Sequence, residues 1–189
     1  MSSDQGVKPE ACLAHPSGDQ GRRASPAGND RSSHSSDSTK LMLREVQEAA
    51  PTIGLQIRAL NASTSREIDA AFAALASERP DALFVAADAF FTSRRVQIAT
   101  LAARDRIPAA YANRDEAAAG GLMSYGTDIA DSYRQVGVYT GKILRGAKPA
   151  DLPVVQSTKF KFIVNLKTAR ALGLEISPGV LSVADELIE

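Results

Sequence analysis

The sequence has no tryptophan, one cysteine and two histidines, and this scarcity excludes several kinds of site. A single cysteine, Cys12, cannot form an intrachain disulfide or supply a metal site of four thiolates. Both histidines, His15 and His34, precede residue 39, so 39–189 contains neither histidine nor cysteine. That part of the chain lacks the usual general base near neutral pH and the usual thiol nucleophile.

The chain also lacks an excess of either charge and any long apolar run. It has 22 Lys and Arg residues against 22 Asp and Glu residues, so no nucleic-acid or membrane-surface partner is predicted. No run approaches the roughly 18 apolar residues of a membrane-spanning helix, so we expect no direct membrane insertion. Residues 1–20 are polar and do not contain the basic segment followed by an apolar segment that forms a signal peptide. As written, the sequence predicts a cytoplasmic chain.

Residues 1–38 differ in composition from the rest. Val7 and Leu13 are their only branched aliphatic residues, they contain no aromatic residue, and RSSHSSDST is almost wholly polar. Such a segment buries too little apolar surface to offset the entropy lost on ordering. We therefore predict a disordered polar tail over 1–38 and a folded lobe over 39–189.

Predicted strands and helices alternate through residues 39–189. The strands are short apolar or alternating runs: LQIRAL, DALFVAA, IPAAYA, GLMSYG and KFKFIVN. Helical runs separate them, and Thr64 with Glu67 forms a capping box for one, STSREIDAAFAALASE. This alternation predicts the α/β class, as a three-layer parallel sheet with right-handed crossovers.

Polar and aromatic residues collect where the predicted strands end. The carboxyl ends of parallel strands share one edge, which is where ligands bind in open α/β sheets. The candidate ligand-binding residues at this edge are Asp88, Phe90, Phe91, Tyr111, Arg114, Ser124, Tyr125 and Gly126. The opposite edge carries helix ends such as Gly54. This asymmetry predicts a small-molecule site.

Several candidates have a second interpretation that the sequence leaves open. Asp88 is also a good N-cap for the helix that follows it, and that role is favoured. Either Phe90 or Phe91 could fill the core instead of facing a ligand. For Arg94-Arg95 a solvated helix face is favoured.

Arg114 and Tyr125 also have a second interpretation. Arg114 could pair with a nearby carboxylate such as Asp115 or Glu116, which at an exposed site would contribute little. Tyr125 follows Ser124 in a polar-aromatic-glycine triplet where a buried side chain would be awkward, so a functional role is favoured.

No enzyme motif accompanies these residues. SYGTD is not the GxSxG turn that presents a nucleophilic serine, and no GxGxxG follows a predicted strand. We identify no catalytic residue, no metal ligand and no cofactor motif. The sequence predicts a site built for binding.

Two long motifs resemble a known family. GGLMSYG, at 120–126, and ADLPVVQ-x-TKF-x-x-x-NLKTA-x-ALGL, at 150–174, resemble ABC transporter substrate-binding proteins of the tryptophan/tyrosine type. The resemblance runs from about Leu41 to Glu189. It implies a type I periplasmic-binding-protein fold, in which two α/β lobes joined by hinge strands hold a solute between them.

The resemblance implies roles for particular residues. Asp88 to Phe91 corresponds to a DPFF loop, with Ala89 where proline is usual, and no aromatic residue follows Arg114 where the family has one. By resemblance, Asp88 would pair with an amine and Arg114 with an acidic group. Phe90, Phe91 and Tyr125 would supply apolar walls. Ser124 and the backbone around Gly126 would hold a carboxylate.

The resemblance also implies that part of the family's structure is missing. We expect mostly the second lobe, without a first lobe or the strand that opens the second, as in a truncated or mis-started gene product. The helix and hinge at 128–150 would then belong with the missing lobe and expose an apolar stripe. Half of a two-lobed clamp should bind its solute weakly.

The functional expectation is a solute-binding component of an ABC importer that binds a small organic solute, such as an amino acid, without catalysis. Its partner would be an ABC permease, and its location periplasmic or lipid-anchored. Two alternatives stay open: a ligand-sensing domain of a regulator and a flavodoxin-like enzyme. Residues 1–38 contain no helix-turn-helix, which disfavours the first, and the lack of histidine and cysteine after residue 38 disfavours the second.

Overall fold

The computed structural model describes residues 10–14, 41 and 43–189. The other residues of the predicted disordered tail lie outside the described residues. Seven described strands form one sheet in the order β2-β1-β3-β4-β5-β6-β7. The strands are β1 (Glu10–Ala14), β2 (Ile57–Asn61), β3 (Leu83–Val85), β4 (Ala109–Tyr111), β5 (Met123–Thr127), β6 (Phe160–Asn165) and β7 (Glu186–Ile188).

Strand β1 corrects the prediction of a wholly disordered tail. It lies between β2 and β3 and pairs in parallel with both, with Cys12 opposite Ala59 on one side and Phe84 on the other. The expectation that the chain lacks the strand opening this lobe is therefore wrong. A short strand between two partners is stabilised by backbone hydrogen bonds on both edges, and the polar composition around it conceals this.

The sheet is parallel except at one pair of neighbours. Strands β1 to β5 run in the same direction, whereas β6 is antiparallel to β5, and β7 is parallel to β6. The predicted α/β class is confirmed, but the predicted parallel pairing is wrong between β5 and β6. A parallel neighbour requires a crossover connection that packs across the sheet. The helix between β5 and β6 has no buried residue, so the chain returns antiparallel instead.

The helices lie largely where the sequence predicts them. They are α1 (43–49), α2 (Ser65–Glu78), α3 (Ala89–Ser93), α4 (Arg95–Asp105), α5 (Arg114–Ala118), α6 (Ile129–Leu144), α7 (Leu166–Leu172) and α8 (Pro178–Ser182). A 3-10 turn, Ala50–Ile53, ends at Gly54, and α7 ends at Gly173. Both glycines adopt positive φ, 76° and 74°, which side chains disfavour. No helix of the described part combines the length and apolar character needed to cross a membrane.

The main core lies between one face of the sheet and helices α2 and α4. Alternate residues of β3 and β4 are buried against these helices. The largest fully buried side chains include Phe72 and Leu75 from α2 and Ile98 from α4. Burial of one such side chain contributes about 1.5 to 3 kcal/mol, so this layer holds the carboxyl ends of the strands in place.

Helix α6 contributes no buried residue to this core. Its apolar residues Ile129, Tyr133 and Val136 are 50%, 73% and 61% exposed, and Leu144 is 83% exposed. The Tyr139 hydroxyl donates a hydrogen bond to the Pro153 carbonyl oxygen at 2.8 Å, which joins the helix to the segment that returns to β6. The predicted exposure of apolar side chains on this helix is confirmed.

Candidate functional site

A cavity of about 680 Å³ opens at the carboxyl ends of β4 and β5. Helix α3, the start of α4, the turn into α5 and the start of α6 form its walls, with β6 on one side. Its polar lining includes three cations and two carboxylates together with hydroxyl and amide groups: Arg95, Arg114, Lys161, Asp115, Asp128, Thr92, Asn113 and Ser124. The volume suits a small organic molecule.

Ser124 lies on β5 in the floor of this cavity. It is 1% exposed, and its Oγ has no hydrogen-bond partner among the described residues. Buried hydroxyls normally have a partner. An unpaired hydroxyl in a cavity wall is therefore a group that a ligand can satisfy.

Gly126 lines the same cavity because residues two apart on a strand share one face. A Cβ at this position would overlap the carbonyl oxygen of Ala112. Glycine thus allows β5 to approach β4 this closely.

Tyr125, between these two residues, does not line the cavity. It is 64% exposed, and its ring stacks on that of Phe160, with centroids 5.8 Å apart and planes 15° from parallel. Alternation along β5 directs neighbouring side chains to opposite faces, which separates Tyr125 from Ser124.

The loop at Asp88 lies beside the cavity and starts α3. Asp88 Oδ1 accepts a hydrogen bond from the Phe90 backbone N–H at 2.7 Å. Asp88 is therefore the N-cap of α3, which is the role that the sequence favoured. Phe91 is 1% exposed and belongs to the core, and Phe90 is partly buried against that core. Ala89 is the residue of this loop that reaches the cavity wall.

Tyr111, the last residue of β4, is part of the core. It is 2% exposed, and its hydroxyl has no partner among the described residues. Burial raises the pKa of the Tyr111 phenol, and the nearby Glu116 carboxylate raises it further. The structure therefore places Tyr111 beneath the cavity instead of in its lining.

Arg114 lines the cavity, but its guanidinium is already engaged. Nε donates to Glu186 Oε2 at 2.8 Å, and Nη2 donates to Oε1 of the same carboxylate. This partner, from β7, is neither of the two neighbouring carboxylates weighed from the sequence. The paired hydrogen bonds lower the pKa of Glu186 and raise the pKa of Arg114.

Arg114→Gln is expected to lower the free energy of unfolding by about 0.5 kcal/mol at neutral pH, as for other exposed ion pairs. The pKa of Glu186 is lowered in the folded state, so its contribution is present above the unfolded pKa and lost as pH falls through the folded value. Urea unfolding at pH values from about 7 to 3 should show the free energies of unfolding of Arg114→Gln and the unaltered protein converging as the pH falls. Arg66→Gln removes an exposed cation outside the cavity and controls for net charge. If Arg114→Gln and Arg66→Gln change the free energy of unfolding with the same pH dependence, the pairing of Arg114 with Glu186 is wrong.

Glu116, a buried carboxylate on α5, ties two walls of the cavity together. It is 2% exposed. Its Oε2 accepts the Asn113 backbone N–H at 3.0 Å, and its Oε1 accepts the Thr92 hydroxyl at 2.9 Å and the Asn113 side-chain amide at 3.2 Å. Because Thr92 is on α3 and Asn113 precedes α5, this carboxylate fixes both lining residues.

The amino end of α6 forms another part of the wall. Asp128 caps the helix by accepting the Asp131 backbone N–H at 3.1 Å, and Lys161 Nζ lies 3.2 Å from its Oδ2. These contacts, in that order, lower the pKa of Asp128. The first backbone N–H groups of a long helix favour a nearby negative charge, and the Asp128 carboxylate supplies that charge here.

Arg95 and Lys161 line the cavity although the sequence did not single them out as site residues. Arg95 was assigned to a solvated helix face, but its side chain is half-buried. Its place at the first turn of α4, directly after α3, could have indicated a position near the strand ends. Nothing local in KFKFIVN distinguishes Lys161. The described residues contain no group of three or more His, Cys, Asp or Glu side chains placed to hold a metal ion.

A ligand-sized cavity at the carboxyl ends of sheet strands is typical of small-molecule-binding α/β proteins. The chain belongs to the family described as ABC transporter substrate binding protein, whose family model matches residues 32–188. The resemblance stated from the sequence motifs is thereby confirmed. A search of curated proteins gives no match.

Solved structures share this fold. One, an ABC domain in complex with L-Trp from Streptococcus pneumonia, aligns with a TM-score of 0.77 and 25% identity over 96% of this chain. A conserved domain protein from Vibrio cholerae aligns at 0.75 with 20% identity, also over 96%. An open, ligand-free substrate binding protein with adhesive properties from Clostridium difficile aligns at 0.65 with 21% identity over 97%. The chain spans 55% of the length of each.

Proposed function

We propose that this chain binds a small organic solute in the cavity beside Ser124, without catalysis, as a solute-binding component of an ABC importer. The observation that carries the proposal is the buried Ser124 hydroxyl, which lies in a ligand-sized cavity and has no partner in the part of the chain that the structure describes. Family membership and the L-Trp complex of a structural neighbour support it. An amino acid is the solute class we favour.

The proposed contacts combine residues that line the cavity with residues that the family resemblance suggests. Ser124, with the backbone at Gly126 and the start of α6, would hold a carboxylate group of the solute. By resemblance, Asp88 would pair with the amine through Oδ2 from beside the cavity, since it is not part of the lining and its Oδ1 accepts the Phe90 amide. Ala89 supplies apolar surface to the cavity wall, Phe90 packs behind it against the core, and Arg114 stays paired with Glu186.

The proposed partner is an ABC permease, and the proposed location is periplasmic or lipid-anchored, both from family membership. We further propose that the chain carries mostly the second lobe of a two-lobed binding protein. One face of the solute would then stay in contact with water. We expect dissociation constants on the order of 1 mM, a binding free energy of about −4 kcal/mol.

The test is an NMR chemical-shift titration of the protein with L-tryptophan, L-tyrosine and L-phenylalanine. We expect saturable shifts at the amides around Ser124 and Gly126. Ser124→Ala should weaken binding about fivefold, because a net hydrogen bond is worth about 1 kcal/mol.

Ser77→Ala on α2 is the matched control, because its exposed hydroxyl only donates to the Ala74 carbonyl oxygen. It should bind like the unaltered protein. Absence of saturable shifts with every amino acid, or shifts confined to residues outside the cavity, would overturn the proposed function.

A further inference from the structure

Three cationic side chains line the cavity, and Arg95 differs from the other two. Arg114 is held by Glu186, and Lys161 by Asp128. Arg95 has no carboxylate partner among the described residues. Among the three cations, Arg95 is therefore the one whose charge no carboxylate of the described residues neutralises.

The hydrogen bonds of Arg95 are also incomplete. A guanidinium carries five N–H donors and no acceptor. In the described part of the chain, Arg95 makes a single hydrogen bond, from Nη1 to the Thr92 carbonyl oxygen at 3.0 Å. A half-buried cation loses part of its hydration, which costs free energy unless acceptors replace the water. The bond to Thr92 holds the guanidinium in the wall, and its remaining donors are available to a ligand.

Ser124 provides an independent observation on the same cavity. It lies on β5, whereas Arg95 begins α4, and its buried hydroxyl likewise has no partner in the described residues. The amino end of α6 lies in the same wall, but the carboxylates of Asp128 and Asp131 already occupy it, so we count no free positive charge there. Two elements separated in sequence, α4 and β5, thus present unsatisfied donors to one space, and a negatively charged acceptor complements both.

We propose that Arg95 is the residue that selects the solute by charge, and that the site takes solutes bearing a carboxylate in preference to the same molecules with that group neutralised. This inference rests on the proposed function of the cavity. It assigns the charge recognition to Arg95 and not to Arg114, whose guanidinium already donates two hydrogen bonds to Glu186.

The experiment compares L-tryptophan, L-tyrosine and L-phenylalanine with their carboxamides, which keep the side chain and the amine but lose the negative charge. Affinities are measured by NMR titration at about pH 7. The unaltered protein should bind the acids at least about tenfold more tightly than the amides, since a hydrogen bond to a charged group is worth about 1.5 to 3 kcal/mol and each 1.4 kcal/mol is tenfold. Arg95→Gln should abolish this preference by weakening the acids while changing the amides less than about twofold.

Two further variants separate charge recognition from general damage. Arg66→Gln removes an exposed arginine of α2 outside the cavity and should leave both affinities unchanged. Arg95→Lys keeps the charge and should retain part of the preference. Unchanged urea midpoints for all variants verify that the fold is intact.

The possible failures are distinguishable. If the unaltered protein binds acids and amides equally, or if Arg95→Gln weakens both to the same extent, the assignment of Arg95 is wrong while the proposed function stands. If no acid or amide binds the unaltered protein, the proposed function itself fails and this inference fails with it.

Discussion

Replacing Gly126 by alanine is expected to lower the free energy of unfolding by about 3 kcal/mol. The added Cβ would overlap the carbonyl oxygen of Ala112, and this contact is with backbone, so no side chain can turn away. Strand β5 would have to move from β4, straining the register that pairs Ser124 with Tyr111. Overpacking typically costs about 1 to 3 kcal/mol, and a backbone contact belongs at the upper end.

Gly137→Ala is the matched control for this prediction. Gly137 lies inside α6, and nothing is within 4 Å of a Cβ built there. Alanine is the better helix former, so this variant should gain about 0.5 to 1 kcal/mol. Urea unfolding of both variants measures the difference. If Gly126→Ala and Gly137→Ala both change the free energy of unfolding slightly and in the same direction, the close approach of β5 to β4 is contradicted.

Glu116→Ala is expected to cost a similar amount, about 3 kcal/mol. The carboxylate accepts three hydrogen bonds from Thr92 and Asn113. Its removal leaves buried donors unpaired, at about 1 to 3 kcal/mol for each group that water cannot reach. We also expect the solute to bind more weakly, because both donor residues line the cavity.

Two variants test whether this loss comes from the hydrogen bonds. Glu116→Gln keeps one acceptor oxygen and should lose about half as much stability. Asp115→Ala, at the exposed neighbouring position, should change stability by less than about 0.5 kcal/mol. Urea unfolding gives the stabilities, and the NMR signals of the Asn113 side-chain amide report its release. A full loss in Glu116→Gln, or none in Glu116→Ala, would refute the assigned role.

Most elements after residue 40 could be predicted because their determinants are local. Gly54 and Gly173 end helical segments at positive φ. Thr64 caps α2 by accepting the Glu67 backbone N–H at 3.2 Å. The alternation of predicted strands and helices also placed Ser124 and Gly126 at the strand end that forms the cavity. Each of these features depends on residues close together in the chain.

The features that could not be predicted depend on distant partners. Strand β1 is stabilised by pairing with β2 and β3, and its few apolar residues are diluted by the polar sequence around them. The position of Arg95 depends on how α3 leads into α4, so the charged pair Arg94-Arg95 resembled any solvated helix face. Tyr111 was placed at the strand end from its position alone, and the direction of its side chain follows from the burial of that face of the sheet. Whether β6 pairs parallel or antiparallel is decided by α6, whose apolar residues indicate a helix but not where it packs.

The connection between β5 and β6 has a further consequence for the architecture of the chain. The Asp128 backbone N–H donates to the Lys159 carbonyl oxygen at 2.9 Å, directly beyond the pairing of Thr127 with Phe160. Residues 129–158 therefore leave and re-enter the sheet through adjacent points, as an inserted segment does. Because the two ends already meet, a short reverse turn could join β5 to β6 without shifting their register. In evolution such a segment can lengthen, shrink or be exchanged while the sheet that carries Ser124 is kept.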